Sequence, residues 1–319
     1  MVSAPLVVAT LSVSAAFSLV AAAPAQAQAS PPERALVEKR AAAEASRDWA
    51  GALEAAVRLE ASVEEEHVEA IYWVARLRAL LGHREEACES LERLGQAGLF
   101  DVSRVRKDEA FSALREDERY KKAVRAIWFR GYLWLLERPE RDAYQKPDQV
   151  MAALAFRPGE RVADVGAGSG YFARRISKAV GPTGVVWAID IAPEVLEHLD
   201  TRARREGLTN IQTRRVQPDD PQLPPGGVDT ILMVDTLHYV KGPDRGAYAK
   251  KLRAALAPGG RVVVIDFVPR PLEERPWGPP PEQKMSREEV DAAMAGAGLF
   301  PARVHDFLTE QFFVEYRPR

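Results

Sequence analysis

The sequence predicts an all-α domain followed by an α/β domain that is built on a parallel sheet. Three observations lead to this fold class. The chain has 319 residues, which suits two domains of the usual size of about 100 to 200 residues. From residue 33 to residue 138, Ala, Leu, Glu and Arg recur with helical spacing. Beyond residue 139, short apolar runs alternate with helical patterns, as is typical of a parallel sheet covered on both faces.

The composition excludes several classes of protein. The chain has 44 Lys and Arg residues against 46 Asp and Glu residues, with 46% hydrophobic residues. This balance argues against a disordered chain and against a generally basic nucleic-acid-binding protein. Cys88 is the single cysteine, so neither an intramolecular disulfide nor a cysteine-based zinc site is expected. The five histidines form no cluster with ligand spacing, and no metal site is predicted.

Residues 1–32 carry no ionisable side chain and are predicted to be a signal peptide or an N-terminal membrane anchor. Val2–Ala23 is an apolar run, and Ala25–Ala27 or Ala27–Ala29 has the small-x-small form of a signal-peptidase site. No Lys or Arg precedes the run, which argues against a signal peptide, and its length suits a marginal anchor. A wrongly assigned start is the third alternative.

Residues 33–138 contain three similar helical segments, at 47–52, 82–87 and 119–123. Their small residues Ala52, Ala87 and Ala123 are spaced 35 and 36 positions apart, close to the helix-turn-helix period of about 34 residues. The pattern resembles a short tetratricopeptide array, which implies that the domain could bind a peptide partner. An irregular helical bundle is the alternative. Turns are expected at Gly82 and Gly95, and Cys88 is expected to be a small buried hydrophobic residue.

After a linker at residues 138–142, the apolar runs predict five strands with helices between them. The strands are expected at Arg161–Val165, Val185–Asp190, Ile211–Val216, Val228–Val234 and Arg261–Val268. The helices are expected at Tyr171–Val180, Pro193–Glu206 and Asp244–Leu256. Prolines crowd residues 269–281, which indicates a stiff loop that either shapes a pocket or links to the last helix.

A glycine-rich turn follows the first strand. Gly166, Gly168 and Gly170 leave room for a sharp turn and for a ligand against the backbone. The second strand ends at Asp190, which places a carboxylate beside this turn, where it can accept both hydroxyls of a ribose. A nicotinamide fingerprint requires a glycine where Tyr171 stands, so dinucleotide binding is disfavoured.

The run from Asp164 to Gly170, followed by Ala188-Ile189-Asp190, resembles class I S-adenosylmethionine-dependent methyltransferases. The resemblance extends from about residue 144 to residue 316. It implies a Rossmann-like sheet of seven strands, one of them antiparallel, and S-adenosylmethionine as the cofactor. It also implies that Asp190 binds the ribose of the cofactor. Eight other residues, around the turn and at the strand ends, are implied to bind the cofactor as well: Asp164, Gly166, Gly168, Gly170, Ile191, Asp219, Asp220 and Asp235.

His238 is the candidate catalytic base, on the loop after the fourth strand. A hydroxyl acceptor needs a base, whereas an amine or a thiol can react in its deprotonated form. A hydrogen-bonded structural histidine is the alternative. The acceptor could be a small molecule or a protein.

Two rival functions stay open at the level of the sequence. One is a non-catalytic scaffold that binds a peptide and a nucleoside, and the other is a nicotinamide oxidoreductase. The leader at residues 1–32 indicates export or membrane attachment, whereas the supply of S-adenosylmethionine indicates the cytoplasm.

Overall fold

The computed structural model describes residues 31–62, 68–99, 101–240, 244–271, 273–275, 278–279 and 281–319. The predicted leader therefore lies outside the described residues, apart from Pro31 and Pro32, which begin the first helix. The described chain forms two compact units that divide between Arg138 and Pro139. Within these ranges, no helix is both long and apolar enough to cross a membrane.

The N-terminal unit consists of helices alone over the residues described. They are α1 Pro31–Ala45, α2 Trp49–Ser62, α3 Val68–Leu80, α4 Arg84–Gln96, α5 Val102–Lys107, a 3-10 helix at Glu109–Leu114 and α6 Glu118–Glu137. Aspartates begin the later helices, because a carboxylate can accept from the free backbone N–H groups of the first turn. Asp101, Asp108 and Asp117 each accept such a bond at 2.9 Å.

The two predicted turns of this unit have different outcomes. Gly82 lies between α3 and α4 with a φ of +78°, as expected for a turn. Gly95 lies inside α4, so the turn predicted there is wrong. A Cβ at Gly95 would stand 3.1 Å from Cγ1 of Ile127, and the glycine therefore lets α4 and α6 approach closely. Cys88 is buried, which confirms the expectation of a small hydrophobic residue.

The C-terminal unit contains one sheet of seven strands in the order β3-β2-β1-β4-β5-β7-β6. The strands are β1 Arg161–Val165, β2 Val185–Asp190, β3 Ile211–Arg215, β4 Val228–Val234, β5 Leu256–Phe267, β6 Leu299–His305 and β7 Gln311–Pro318. The helices are α7 Glu140–Gln145, α8 Pro147–Leu154, α9 Ala173–Val180, α10 Pro193–Arg205, α11 Asp244–Ala255 and α12 Arg287–Ala295. Only β7 runs antiparallel to its neighbours, which confirms the predicted sheet.

Two differences from the sequence prediction exceed the one or two residues seen at other boundaries. The fifth strand begins at Leu256 and not at Arg261, because Leu256 already pairs with Val228, and the register shifts before Arg261 pairs with Thr230. Residues 256–260 are therefore the irregular start of β5. The predicted linker is helical from Glu140 onward, because Arg141 and Gln145 are buried in the C-terminal unit.

The sheet brings chemically useful residues to one edge. Apolar side chains are buried on both faces of its central strands, so polar groups concentrate at the strand ends. The parallel strands β1, β2, β4 and β5 end at the same edge. The antiparallel β7 begins there, since Gln311 pairs with Phe267, the last residue of β5.

Candidate functional site

The turn after β1 has a backbone that only glycine adopts easily. Gly166, Gly168 and Gly170 have φ values of +75°, +53° and +80°, in the left-handed region that a Cβ disfavours. A Cβ at Gly166 would stand 2.3 Å from Oγ1 of Thr236, and one at Gly170 would stand 2.2 Å from Cδ1 of Leu199. The turn therefore presents bare backbone at the end of β1.

Asp190 lies beside this turn, as the sequence predicts. Its carboxylate accepts from the backbone N–H of Gly168 and from that of Ala192, both at 2.9 Å. Burial raises the pKa of Asp190, while these backbone N–H groups oppose the rise. Each carboxylate oxygen accepts more than one hydrogen bond. Asp190 can therefore hold the turn in place and still accept ribose hydroxyls.

Asp164, within β1, is buried and has an oxygen without a partner. Among the described residues, nothing donates a hydrogen bond to its Oδ2 atom. Burial raises the pKa of Asp164 to about 7, and the positive charge of Arg141 opposes that rise. A buried carboxylate oxygen is costly to leave unpaired. The amino group of S-adenosylmethionine is a donor that fits it, so the residues present are compatible with that cofactor.

Asp235 follows β4 and is held by a chain of side-chain amides. Nε2 of Gln311 donates to Oδ1 of Asp235 at 2.5 Å, and Nε2 of Gln145 donates to Oε1 of Gln311 at 3.1 Å. Nε of Arg141 donates to Oε1 of Gln145 at 2.9 Å. The chain of bonds thus connects α7, the start of β7 and the end of β4 at one edge of the sheet.

His238 lies in the 3-10 helix Leu237–Tyr239 and pairs with Asp266 of β5. The distance from its Nδ1 to Oδ1 of Asp266 is 2.7 Å. The backbone N–H of His238 also donates to the other oxygen of Asp266, at 3.3 Å. Nε2 of His238 is buried and has no hydrogen-bond partner among the described residues. The imidazole is therefore oriented by Asp266 and keeps one nitrogen for another molecule.

Opposing effects set the protonation of His238. Burial lowers its pKa, but the charge of Asp266 and its hydrogen bond outweigh burial, and the pKa is raised above the usual value of 6.5. The pKa of Asp235 is also raised, first by burial and then by the negative charge of Asp266. The carboxylates at this edge thus create a negative environment that suits a cation.

The acidic loop after β3 is placed differently from the other predicted site residues. Oδ1 of Asp220 accepts from the backbone N–H of Gln222 at 2.9 Å, and Oδ2 lies 3.3 Å from Nζ of Lys251 on α11. Asp219 is exposed, and its carbonyl oxygen accepts from Lys251. Among the described residues, these contacts do not bring either carboxylate to the glycine turn, and the cofactor-binding role of Asp219 and Asp220 stays a prediction. Ile191 is half-buried and packs against the core.

Four residues of this edge were not found from the sequence: Arg141, Gln145, Asp266 and Gln311. Arg141 and Gln145 were assigned to or near a linker. Asp266 was hidden inside the predicted fifth strand, although an acid in the apolar run from Val262 to Phe267 is a signal that could have found it. A buried charge requires a partner or a ligand. Gln311 gives no local signal, because its role depends on the antiparallel direction of β7.

Known proteins resemble the C-terminal unit. Residues 162–260 match the family model described as a methyltransferase domain. Nocamycin O-methyltransferase of Saccharothrix syringae is 32% identical over 174 residues, which cover 50% of this chain and 61% of that protein. An uncharacterised protein of Mycobacterium tuberculosis is 30% identical over 198 residues, which cover 58% of this chain and 69% of that protein.

A solved structure agrees with these relatives. The crystal structure of a SAM dependent methyltransferase from Aquifex aeolicus has a TM-score of 0.53 and 29% sequence identity, and the match covers 57% of this chain and 94% of that one. The family model spans the glycine turn and the strand ends that carry Asp164, Asp190 and Asp235, because all of them lie within residues 162–260. The C-terminal unit therefore contains an S-adenosylmethionine-dependent methyltransferase domain, and S-adenosylmethionine is the cofactor of that domain.

Proposed function

We propose that this protein transfers the methyl group of S-adenosylmethionine to a hydroxyl oxygen of a small-molecule acceptor, with His238 as the general base. The observation that carries the proposal is the His238–Asp266 pair, at 2.7 Å, with Nε2 of His238 buried and without a partner among the described residues. A hydroxyl is a weak acid, and a positioned base speeds the loss of its proton.

The geometry assigns the roles of the two imidazole nitrogens. Nδ1 carries a proton when it donates to Asp266, so Nε2 has the lone pair that accepts the proton of the acceptor. As Nε2 takes that proton, S-adenosylmethionine held at the strand ends would supply its methyl group to the acceptor oxygen, and its sulfur would keep the electron pair of the bond to that carbon. The products are the methyl ether, S-adenosylhomocysteine and protonated His238.

The rest of the site binds and orients. S-adenosylmethionine supplies a methyl group that its sulfonium already activates. Asp190 would accept the ribose hydroxyls, Asp164 would accept from the amino group, and Gly166, Gly168 and Gly170 would lie against the cofactor. Asp235 would face the methionine end, fixed by its bond from Gln311. Such positioning contributes to the rate by holding the reacting atoms in line.

Three alternatives are weaker. An amine or a thiol can react in its deprotonated form and would not need His238 as a base. A protein acceptor is compatible with the site. However, one relative is named nocamycin O-methyltransferase, and this name favours a small-molecule acceptor. A non-catalytic scaffold would need neither His238 nor its pairing with Asp266.

The test uses the full-length protein with S-adenosylmethionine that carries an isotopically labelled methyl group. It is incubated separately with the protein fraction and with the protein-free extract of the source organism, and the products are identified by mass spectrometry. We expect the label on an oxygen of a small molecule. Label on nitrogen, sulfur or protein contradicts the proposal. Cofactor binding in calorimetry without any transfer would favour the scaffold.

A variant of the base completes the test. His238→Asn retains an N–H that can donate to Asp266 and lacks the outer part of the ring that carries Nε2, so it should bind S-adenosylmethionine normally. We expect kcat to fall by a factor of about 10² to 10⁴, the usual contribution of a general base. Unchanged kcat would remove His238 from the mechanism.

We further propose that the N-terminal unit is a tetratricopeptide-like array that binds a peptide. Helices α2, α4 and α6 begin at Trp49, Arg84 and Glu118, at intervals close to the period of about 34 residues. Ala52 and Ala87 each lie three residues after the start of their helix, Ala123 lies five residues after the start of α6, and all three are buried, which supports a repeated helix-helix packing. Peptide-array binding to the full-length protein tests this proposal, and uniformly weak binding would contradict it.

A further inference from the structure

A buried lysine, Lys284, lies in the segment that precedes α12 and has no role in the function proposed above. The side chain is 7% exposed. Its Nζ atom has no hydrogen-bond partner and no ion pair among the described residues. An ammonium group that is buried without a partner is costly, because it has lost its water and gained nothing in return. The position is therefore explained best by an anion that arrives with a ligand.

The surroundings of Lys284 connect it with the catalytic edge. Its charge is close enough to His238 to lower the pKa of that imidazole. Met285, the next residue, belongs to the same buried cluster as Leu237, which precedes His238. Lys284 and the unpartnered Nε2 of His238 thus lie in one neighbourhood, on the segments that follow β4 and β5.

The nearby acids do not neutralise Lys284. Glu282, whose charge raises the pKa of Lys284, is itself exposed to solvent. Glu310 is shared by Arg270 and Arg275, each at 3.5 Å, and Asp266 is occupied by His238. Burial lowers the pKa of Lys284 to about 8, with a further contribution from the positive charge of Arg275. At neutral pH the amine still carries its proton in most molecules, so Lys284 places an unpaired positive charge beside the acidic groups of this edge.

This charge is not explained by the cofactor. S-adenosylmethionine brings a sulfonium, an ammonium and a carboxylate, and the last two are bonded to the same carbon. Its ammonium is assigned to Asp164, and the charges that act on Asp164 include that of Arg141 and not that of Lys284, so Arg141 is the better partner for the carboxylate of the cofactor. A buried cation close to the sulfonium weakens its binding. An acceptor with a negative group has the opposite effect. The group must be small, because it has to reach an amine that is almost wholly buried.

We propose that Lys284 binds a carboxylate of the methyl acceptor, so that the substrates of this protein are hydroxy acids whose reacting hydroxyl lies at Nε2 of His238. This inference rests on the proposed function for the role of the hydroxyl. The proposed carboxylate site depends only on the buried, unpartnered amine of Lys284. Binding of a carboxylate there can be measured without any methyl transfer.

The test follows the side-chain titration of Lys284 by nuclear magnetic resonance. The full-length protein carries ¹³C-labelled lysine and is saturated with S-adenosylhomocysteine, and Lys284→Arg assigns the ¹³Cε signal. Benzoate is the probe, and benzamide is the neutral probe of the same shape. We expect benzoate to raise the pKa of Lys284 by about one unit or more, as an opposite charge within contact distance does, and benzamide to leave it unchanged.

Controls separate the two proposals. Lys284→Met should lose benzoate binding at least tenfold and bind S-adenosylhomocysteine as the wild type does, whereas Lys178→Met on the exposed face of α9 should change neither. An unshifted Lys284 signal, an equal shift with benzamide, or a shift with inorganic phosphate but not benzoate would overturn the carboxylate site. Failure of S-adenosylhomocysteine to bind would instead count against the proposed function, and the benzoate titration would still decide the role of Lys284.

Discussion

Asp266 accepts a hydrogen bond from Nδ1 of His238 at 2.7 Å, and the two side chains are 0% and 1% exposed. They belong to neighbouring strand ends, since His238 follows β4 and Asp266 is the penultimate residue of β5. The carboxylate also accepts from two backbone N–H groups, those of His238 and Phe267. Asp266 is therefore fixed by the main chain, and it fixes the imidazole in turn.

Replacement of Asp266 by Asn should impair turnover far more than cofactor binding. The Asn amide can donate to Nδ1, which drives the imidazole proton to Nε2 and removes the lone pair that the acceptor hydroxyl needs. We expect kcat to fall by a factor of about 10² to 10⁴, with the calorimetric Kd for S-adenosylmethionine changed little. Asp291→Asn is the control, because Asp291 accepts from Tyr316 at 2.6 Å and lies on α12. A fall in kcat as large in this control would point to a general loss of stability.

The pH dependence of kcat should report His238. A base works when it is deprotonated, so kcat should rise with pH through a pKa above 6.5, in the direction that Asp266 imposes on this imidazole. Asp266→Asn removes that influence, and the rise should move to lower pH. Lys284→Met removes a positive charge that lowers the pKa of His238, and the rise should move to higher pH. If the rise of kcat moved in the same direction in both variants, it would not report the titration of His238.

Binding of S-adenosylmethionine should strengthen as the pH rises through about 7. The pKa of Asp164 is raised to about 7, chiefly by burial, so the carboxyl is largely protonated below that pH. The ammonium of the cofactor favours the ionised form, and binding below pH 7 must therefore release a proton. Calorimetry in buffers of different ionisation enthalpy measures that release directly. In Asp164→Asn the affinity should be weaker and should depend less on pH between 6 and 8, about one unit on each side of that pKa. The dependence that remains would come from Asp235, whose pKa is also raised to about 7.

Two glycine substitutions should separate backbone strain from steric collision. Gly166 and Gly207 both have a positive φ, of +75° and +69°. A Cβ at Gly166 would collide with Thr236, whereas nothing lies within 4 Å of a Cβ at Gly207. Gly207→Ala should therefore cost about 1 kcal/mol of unfolding free energy for the backbone alone, the low end of the usual range for such strain.

Gly166→Ala should cost clearly more and should also abolish cofactor binding. The neighbouring Thr236 side chain is short and branched, and its Oγ1 donates to the carbonyl of Val234 at 2.8 Å, so it cannot turn away without losing that bond. Chemical denaturation gives the two free energies, and calorimetry gives the affinities. An equal loss of unfolding free energy in Gly166→Ala and Gly207→Ala would show that the turn after β1 adjusts to the added Cβ and that no steric collision occurs.

The elements that were predicted well from the sequence depend on local patterns. The bounds of β1, β2 and β4 agree with the structure, because apolar runs end at glycine or aspartate. The capping pair of Ser286 and Glu289 begins α12 where the sequence places the last helix. The glycine turn and Asp190 were likewise found from residues within one strand-turn-helix unit and the strand that follows.

The residues that were missed depend on pairing between distant parts of the chain. Asp266 becomes functional only because β4 and β5 are neighbours, and Lys284 is notable only because it is buried, which no residue beside it predicts. The helix at Glu140–Gln145 was assigned to a linker because its short polar sequence lacks an apolar period. Its residues Arg141 and Gln145 are buried only in the folded C-terminal unit, where Gln145 bonds to Gln311 of β7. Sequence patterns thus predicted the residues that we propose for the cofactor, whereas the residues that we propose for the acceptor became evident only from the fold.

The amide pair of Gln145 and Gln311 has a consequence for how this protein matures. The two residues are 166 positions apart in the chain, and Gln311 is the residue that fixes Asp235. A ribosome delivers the glycine turn long before it delivers β7. The nascent chain therefore holds an incomplete cofactor site until the last strand has emerged and inserted between β5 and β6. Competence to bind S-adenosylmethionine should accordingly appear late, as a marker that synthesis of the C-terminal unit is complete.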